Sequence, residues 1–327
     1  MKVLVTGGAG FIGSHLVEAL LERGDAVRVL DDFSTGSRRN LSAVLDRIEL
    51  IEGDVCDSAV AAAAVAGMDG ILHQAALPSV PRSFLDPVGT TSVNCGGILS
   101  VLEAARKAGV KRFVFASSSS VYGDVDLPVK QEGLPPSPIS PYAVSKLSGE
   151  VFCRIYRKTY GMATVSLRYF NIFGPRQDPE SQYAAVIPLF LTAALSGRSP
   201  VIYGDGTQSR DFTYVSNVVR ANVAALSAPE AAWGKVCNVA CGGETTLLEL
   251  VERIGQLSGR AVEPEFAPPR PGDVLHSRAD VSRARSLLDY SPEVSFADGL
   301  RLTYEYFSDL AKSSDNRMEV EDARPPA

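Results

Sequence analysis

Tyr142 and Lys146 stand four residues apart in a stretch, Tyr142–Tyr160, whose apolar spacing predicts a helix. At that spacing the two side chains share one helix face. An ammonium beside a phenol favours the phenolate, so Tyr142 reads as a general base acting on a hydroxyl near neutral pH. A run of hydroxyls, Ser117–Ser120, precedes Val121-Tyr122-Gly123. Ser118 or Ser119 would share the hydrogen bond to the reacting hydroxyl. A Tyr-x-x-x-Lys spacing alone is common; it gains meaning from a second feature near the start of the chain.

That feature is Thr6-Gly7-Gly8-Ala9-Gly10-Phe11-Ile12-Gly13, which follows a short apolar run and opens a helical pattern. Gly7, Gly10 and Gly13 permit a tight turn and a close backbone approach to a pyrophosphate. The helix start then offers free N–H groups and the positive end of its dipole. Glycines also make ordinary turns, but the position between strand and helix is the dinucleotide-binding arrangement. Asp31, at the end of the next strand, would accept both hydroxyls of the adenosine ribose and repel a 2′-phosphate. NAD is therefore expected rather than NADP, with Arg38 and Arg39 the residues that would argue otherwise, and its positive nicotinamide ring would join the Lys146 ammonium in lowering the Tyr142 phenol. Asp54-Val55 is expected to end the third strand beside the adenine.

These groups need a scaffold, and the chain alternates short apolar runs with helical patterns. Strands are predicted at Lys2–Thr6, Ala26–Leu30, Ile48–Ile51, Gly70–His73, Arg112–Ala116 and Thr164–Arg168. Helices are predicted at Gly13–Arg23, Ile98–Ala108 and Tyr142–Tyr160. Strict alternation implies βαβ units, hence an α/β fold with a doubly wound parallel sheet covered by helices on both faces. Beyond about Phe173, clusters of Pro, Gly and charge (Gly174–Glu180, Tyr203–Asp211, Pro264–Asp273) separate short helices such as Leu247–Leu257. Residues 1–173 are thus expected to form mainly the cofactor domain, with later segments able to return to it. Residues 174–312 would form mainly a smaller substrate-binding lobe, and Ser313–Ala327 a disordered tail.

The bulk properties narrow the classes further. The 327 residues carry a formal net charge of −6 and are 45% hydrophobic, which disfavours a general nucleic-acid binder. No apolar run reaches the roughly 20 residues that span a bilayer. Met1–Thr6 leads straight into a strand, so no signal peptide is expected and the location reads as cytoplasmic. The cysteines, Cys56, Cys95, Cys153, Cys237 and Cys241, lack paired spacing and read as buried thiols in a reducing compartment, with no metal site.

Taken together these stretches resemble the extended short-chain dehydrogenase/reductases, of the UDP-hexose 4-epimerase type. The resemblance rests on TGGAGFIGSHL (6–16), GDVCD (53–57), HQAALPSVPRSFLDP (73–87), Ser117–Gly123, SPYAVSK (140–146), RYFNIFGPRQDP (168–179), YGDGTQSRDFTYV (203–215) and 270–280. It implies a Rossmann-like fold with a C-terminal substrate-binding lobe. It implies that Tyr142 is the base and that Lys146 holds the nicotinamide ribose. Ser118 and Ser119 would touch the sugar. Phe11, Ile12, Ala75 and Tyr169 would join the NAD contacts. Ser79, Asn171, Val186, Tyr203, Arg210, Arg270, Asp273 and Ser277 would contact the UDP-sugar, the arginines through the bidentate fork that suits a diphosphate. A homodimer is implied as well, through helices near Gly89–Ala108 and Tyr142–Tyr160.

Relatives that begin with the same oxidation carry acids just before Val-Tyr-Gly. Dehydratases have Asp-Glu and uronate decarboxylases a Glu, where this chain has Ser119 and Ser120. The resemblance therefore implies plain 4-epimerisation. In these enzymes a bulky Tyr four residues after Asp273 confines the pocket to UDP-glucose and UDP-galactose. Ser277 is small there and leaves room for an N-acetyl group. Pro78 departs from the glycine usual in the N-acetylhexosamine group. UDP-glucuronate 4-epimerase or decarboxylase activity is the alternative, and a catalytically silent NAD-binding regulator is another, disfavoured because Tyr142 and Lys146 both remain.

Overall fold

The structure, a computed structural model, describes residues 1–125, 127–179, 185–269 and 275–322, with side chains considered through Lys312. Seven parallel strands form the central sheet: β1 (Lys2–Thr6), β2 (Ala26–Asp31), β3 (Ile48–Glu52), β4 (Gly70–His73), β5 (Arg112–Ser118), β6 (Ala163–Tyr169) and β7 (Lys235–Val239). Their order across the sheet is β3-β2-β1-β4-β5-β6-β7. Chain direction reverses its march between β1 and β4, which opens a crevice beyond their carboxyl ends.

The inner strands form because they are buried on both faces, and alternate residues feed two cores, while the edge strand β3 has no fully buried residue. Val3, Val5, Val27, Val29 and Val114 face a layer containing the helices Phe11–Glu22 and Val215–Leu226. Leu4, Leu30, Ile71, Phe113 and Phe115 face the helices Ser58–Val65, Gly97–Ala108 and Pro141–Tyr160. A third core built on Phe173, Ile187, Phe190, Phe212 and Leu250 lies in the lobe.

Several elements differ from the sequence reading. The first helix begins at Phe11, because Gly10 is its N-cap and glycine at a helix start costs little. β3 ends at Glu52, so Asp54-Val55 lies in the following turn, where Asp54 accepts the Cys56 N–H at 2.8 Å. β7 and the helix Val215–Leu226, both after residue 173, belong to the sheet layer. The last helix runs Phe296–Asp322 and so continues past Ser313. Between Gly299 and Pro325 there is no glycine or proline to stop it, and Met318, Glu319 and Glu321 are good helix formers.

Candidate active site

The crevice holds a cleft of about 430 Å3. Gly7, Gly10, Phe11, Ile12 and Gly13 form one wall after β1. No side chain caps the helix that starts at Phe11, so its first N–H groups are left for an anion. Asp31, at the end of β2, is buried in the same cleft. Its two oxygens accept N–H groups of Ala9 and Phe33, each at 2.8 Å. Burial pushes its carboxyl upward, opposed by those two hydrogen bonds. One lone pair on each oxygen remains for a diol. Arg38 is paired with Glu52 and stacked 4.3 Å over Phe33, turned to its own neighbours rather than to a 2′-phosphate.

Val55 and Ala75 line the cleft as well, and Asp54 is exposed in its turn. The Ala75 N–H donates to Thr6 Oγ1 at 3.3 Å. Tyr169, at the end of β6, closes the far side; its hydroxyl meets Gln74 Oε1 at 3.2 Å and Asn222 Oδ1 at 3.0 Å. Sequence reasoning did not single out Asp32, Ser34, Gln74, Arg82 or Gln177, all of which line the cleft. Asp32, Ser34 and Gln74 sit on loops after strands, Arg82 on the short helix Val80–Leu85 and Gln177 beyond residue 173, where no periodic pattern marks them.

Tyr142 and Lys146 share the cleft. Ser140 caps their helix through the Ala143 N–H at 3.1 Å, and Pro141 presets the first turn. Tyr142 is therefore held in the first turn rather than on a loop. Lys146 is buried, with Nζ donating to Ala116 O at 2.9 Å and lying 5.7 Å from the Tyr142 ring centre. Burial lowers its ammonium to about 8. Burial also drives the Tyr142 phenol up to about 12, against a hydrogen bond with Ser118. Lys146 by itself therefore does not bring Tyr142 down, and the expected fall rests on the second charge as well, that of a nicotinamide ring beside the phenol.

Behind Lys146, His73 lies within the sheet, its Nδ1 2.9 Å from Thr6 Oγ1 and its ring 6.1 Å from that of Phe115. Burial, then the charge of Lys146, drives it down to about 3 from its ordinary 6.5. The unfolded chain thus takes up a proton in that interval that the folded chain refuses, and stability falls as pH drops from about 6.5 toward 3. In His73→Phe the urea midpoint should fall less between pH 7 and pH 5 than in the wild type. Thr6 Oγ1 keeps its Ala75 partner in that variant. Equal acid slopes would mean His73 is not the group responsible.

The remaining candidates flank the cleft. Ser118 ends β5, and Ser119 opens a short turn of helix to Tyr122. Asn171 follows β6 at φ +41°, and its buried Nδ2 has no hydrogen-bond partner among the described residues. Ser79 adopts φ +103° while capping the helix Val80–Leu85. Such strain in non-glycine residues tends to gather at ligand sites. In the lobe, Arg210 pairs in parallel register with Ser277, and its Nη1 donates to Ser209 O at 2.9 Å and Leu275 O at 3.2 Å. Tyr203 ends a strand paired with Glu265–Ala267, and Val186 starts the helix Val186–Leu195. Arg270 and Asp273 lie outside the described residues.

Comparison with known proteins agrees with this geometry. Residues 3–240 match the NAD dependent epimerase/dehydratase family. A UDP-glucose 4-epimerase of Mycolicibacterium smegmatis is 42% identical over 311 residues, covering 94% of this chain and 98% of its own length. The solved structure of a UDP-glucose 4-epimerase of Thermotoga maritima, with UDP-glucose, is similar at a TM-score of 0.90 and 37% identity, over 95% of this chain and 100% of that one. That of a UDP-N-acetylglucosamine 4-epimerase of Methanobrevibacter ruminantium, in complex with UDP-N-acetylmuramic acid, is similar at 0.89 and 39% identity, over 94% and 98%.

Proposed function

The chain belongs to the NAD dependent epimerase/dehydratase family, and we propose that it inverts C4 of a UDP-hexose, UDP-N-acetylglucosamine foremost and UDP-glucose as well. The observation that carries this is Tyr142 beside Ser118 and Lys146 in the dinucleotide cleft, with hydroxyls and no carboxyl group among residues Ser117–Ser120.

NAD fits the cleft by three features: a helix start free of any side-chain cap, Asp31 at the adenosine end, and Lys146 at the other. Bound there, NAD would supply the hydride acceptor and donor for the sugar C4. Tyr142 takes the proton of the 4-hydroxyl and gives it back after the 4-keto sugar has turned over. Ser118 orients that hydroxyl, with Ser119 beside it, and Lys146 holds the ribose. Gly7, Gly10, Phe11, Ile12, Gly13, Val55, Ala75 and Tyr169 hold the cofactor, with Asp54 at the adenine edge.

On the substrate side, the unpartnered Asn171 Nδ2 suits a phosphate oxygen. Arg210 and Arg270 would grip the diphosphate and Asp273 the uridine ribose, with Ser79, Val186 and Tyr203 around them. Elimination or decarboxylation would need an acid at Ser119 or Ser120. UDP-glucuronate is the second reading, favoured by Arg82, a half-buried cleft guanidinium without a partner among the described residues. A homodimer would pair Gly97–Ala108 and Pro141–Tyr160, whose Leu99, Val144 and Ile155 are exposed at 40%, 47% and 45%. A cytoplasmic location fits five free thiols.

The test is proton NMR of UDP-N-acetylglucosamine and UDP-glucose with the protein and no added reductant. Conversion of each to its 4-epimer is expected, and inert substrates, with UDP-glucuronate inert too, would sink the reading. Ser277→Tyr should abolish turnover of the acetylated sugar and spare UDP-glucose. Equal loss of both would mean that Ser277 does not set the size of the pocket.

A further inference from the structure

Tyr142, Lys146 and Glu150 follow one another at intervals of four on the helix Pro141–Tyr160. All three therefore face the sheet on one side. A carboxylate four residues from an ammonium is a natural ion-pair partner for it, and pairing here would neutralise the Lys146 cation beside the Tyr142 phenol. That pair is not made. Lys146 Nζ reaches only Ala116 O among the described residues. Glu150 instead takes Arg168 of β6 in a two-pronged grip, Nε to Oε1 at 2.8 Å and Nη2 to Oε2 at 2.7 Å. Ser117 Oγ adds a third bond to Oε1 at 2.5 Å. Lys146 and Glu150 thus bond to consecutive residues of β5, with the acid drawn to the Arg168 side.

Arg168 is itself aimed by packing. Its guanidinium carbon lies 4.5 Å from the Tyr122 ring centre, and the Tyr122 hydroxyl donates to Asn238 Oδ1 at 2.7 Å. Both members of the ion pair are almost wholly buried, at 3% and 5% side-chain exposure. A buried ion pair is weak support for stability, and its retention calls for another reason.

We propose that Arg168 is a positioning residue that sequesters Glu150, so that the Lys146 ammonium stays unneutralised for the cofactor ribose and the Tyr142 phenol. The other ionisable groups around Lys146 and Tyr142 leave that role open. His73 on β4 is held neutral, Cys95 on the turn Ser92–Gly96 is raised by burial, and Tyr169 on β6 is a neutral phenol. Arg82 belongs to the helix Val80–Leu85 packed on the same helix, and it is a cation that cannot neutralise Lys146.

The inference rests on the reading of Tyr142 as the base, but its test needs no turnover. In the NAD-loaded full chain, Tyr142 is titrated by ultraviolet difference against the same protein carrying Tyr142→Phe. Arg168→Met frees Glu150 toward Lys146 and should raise the Tyr142 midpoint by about one pH unit or more. Adding Glu150→Gln should bring it back to the wild-type value, a rescue that a merely structural ion pair would not give. If Arg168→Met fails to fold, Arg168→Gln takes its place; its amide keeps at most one hydrogen bond to Glu150 and no charge, so a rise in the same direction but smaller is expected. A folded single variant that titrates like wild type, or a double variant displaced as far as the single, overturns the proposal. Absence of epimerase activity in the wild type would instead overturn the functional reading and leave this titration interpretable.

Discussion

Tyr142→Phe should cut kcat for 4-epimerisation by about a thousandfold, within the 10²–10⁴ that positioned proton transfer contributes, while NAD stays bound. The ring and its packing remain, so the change removes one hydroxyl from the cleft. The pH behaviour follows from the burial of that hydroxyl. Burial holds the phenol at about 12, far too high for a base near neutrality. A full positive charge about 6 Å away is worth about 3 kcal/mol at an effective dielectric of 20, or about 2 pKa units. Lys146, 5.7 Å from the ring centre, is already present when the phenol stands at about 12, so the further fall of about 2 pKa units toward the working range comes from the charge of an oxidised nicotinamide. Tyrosinate absorbance should therefore rise when NAD⁺ binds and not when NADH binds, and Tyr142→Phe should lose that signal. The acid limb of kcat/KM should follow the same ionisation, activity falling as pH drops through it. A Tyr142→Phe enzyme that turned over at the wild-type rate would end the assignment of Tyr142 as base.

What the sequence disclosed depended on burial. β1 and β4 fall on their predicted limits, Lys2–Thr6 and Gly70–His73, because strands in a doubly covered parallel sheet are uninterrupted apolar runs. The glycine loop was readable because its spacing is backbone chemistry. β7 was hidden: its five residues, Lys235–Val239, sit in a stretch whose Pro and Gly content resembles a lobe, and only pairing with β6 brings it into the sheet. The lobe partners were hidden for the same reason. Arg210 and Ser277 are far apart in sequence and meet through a two-residue ladder, too short for any periodicity. The rise of Tyr142 to about 12 beside Lys146 was not legible, because helix spacing shows which groups are neighbours and not how dry their surroundings are. Glu150 and Arg168 drew no notice, since a buried ion pair looks in sequence like any acid on a helix and any arginine on a strand.

Gly13→Ala and Gly10→Ala should part company, although both residues belong to one loop and one cleft. A Cβ on Gly13 would lie 2.0 Å from the Gly7 carbonyl oxygen and 2.8 Å from Gly8 Cα, all of it backbone that the turn fixes. Glycine to alanine inside a helix normally stabilises by roughly 0.5–1 kcal/mol. Here the clash reverses the sign, and a loss of about 3 kcal/mol or more is expected because backbone cannot move aside as a side chain does. Gly10 differs. Its φ of −74° suits any residue, and a Cβ there would meet only the Gly7 oxygen, at 3.2 Å. The added methyl would stand on the cleft wall, where the free N–H groups of the helix start await the pyrophosphate. Gly10→Ala should thus keep its urea midpoint near that of the wild type and bind NAD at least about tenfold more weakly, a loss of about 1.4 kcal/mol. Titration calorimetry with NAD, set beside urea unfolding without it, separates the two effects. Equal destabilisation of both variants would mean that the loop needs Gly10 for its own packing, and unchanged NAD affinity in Gly10→Ala would mean that the pyrophosphate lies elsewhere in the cleft.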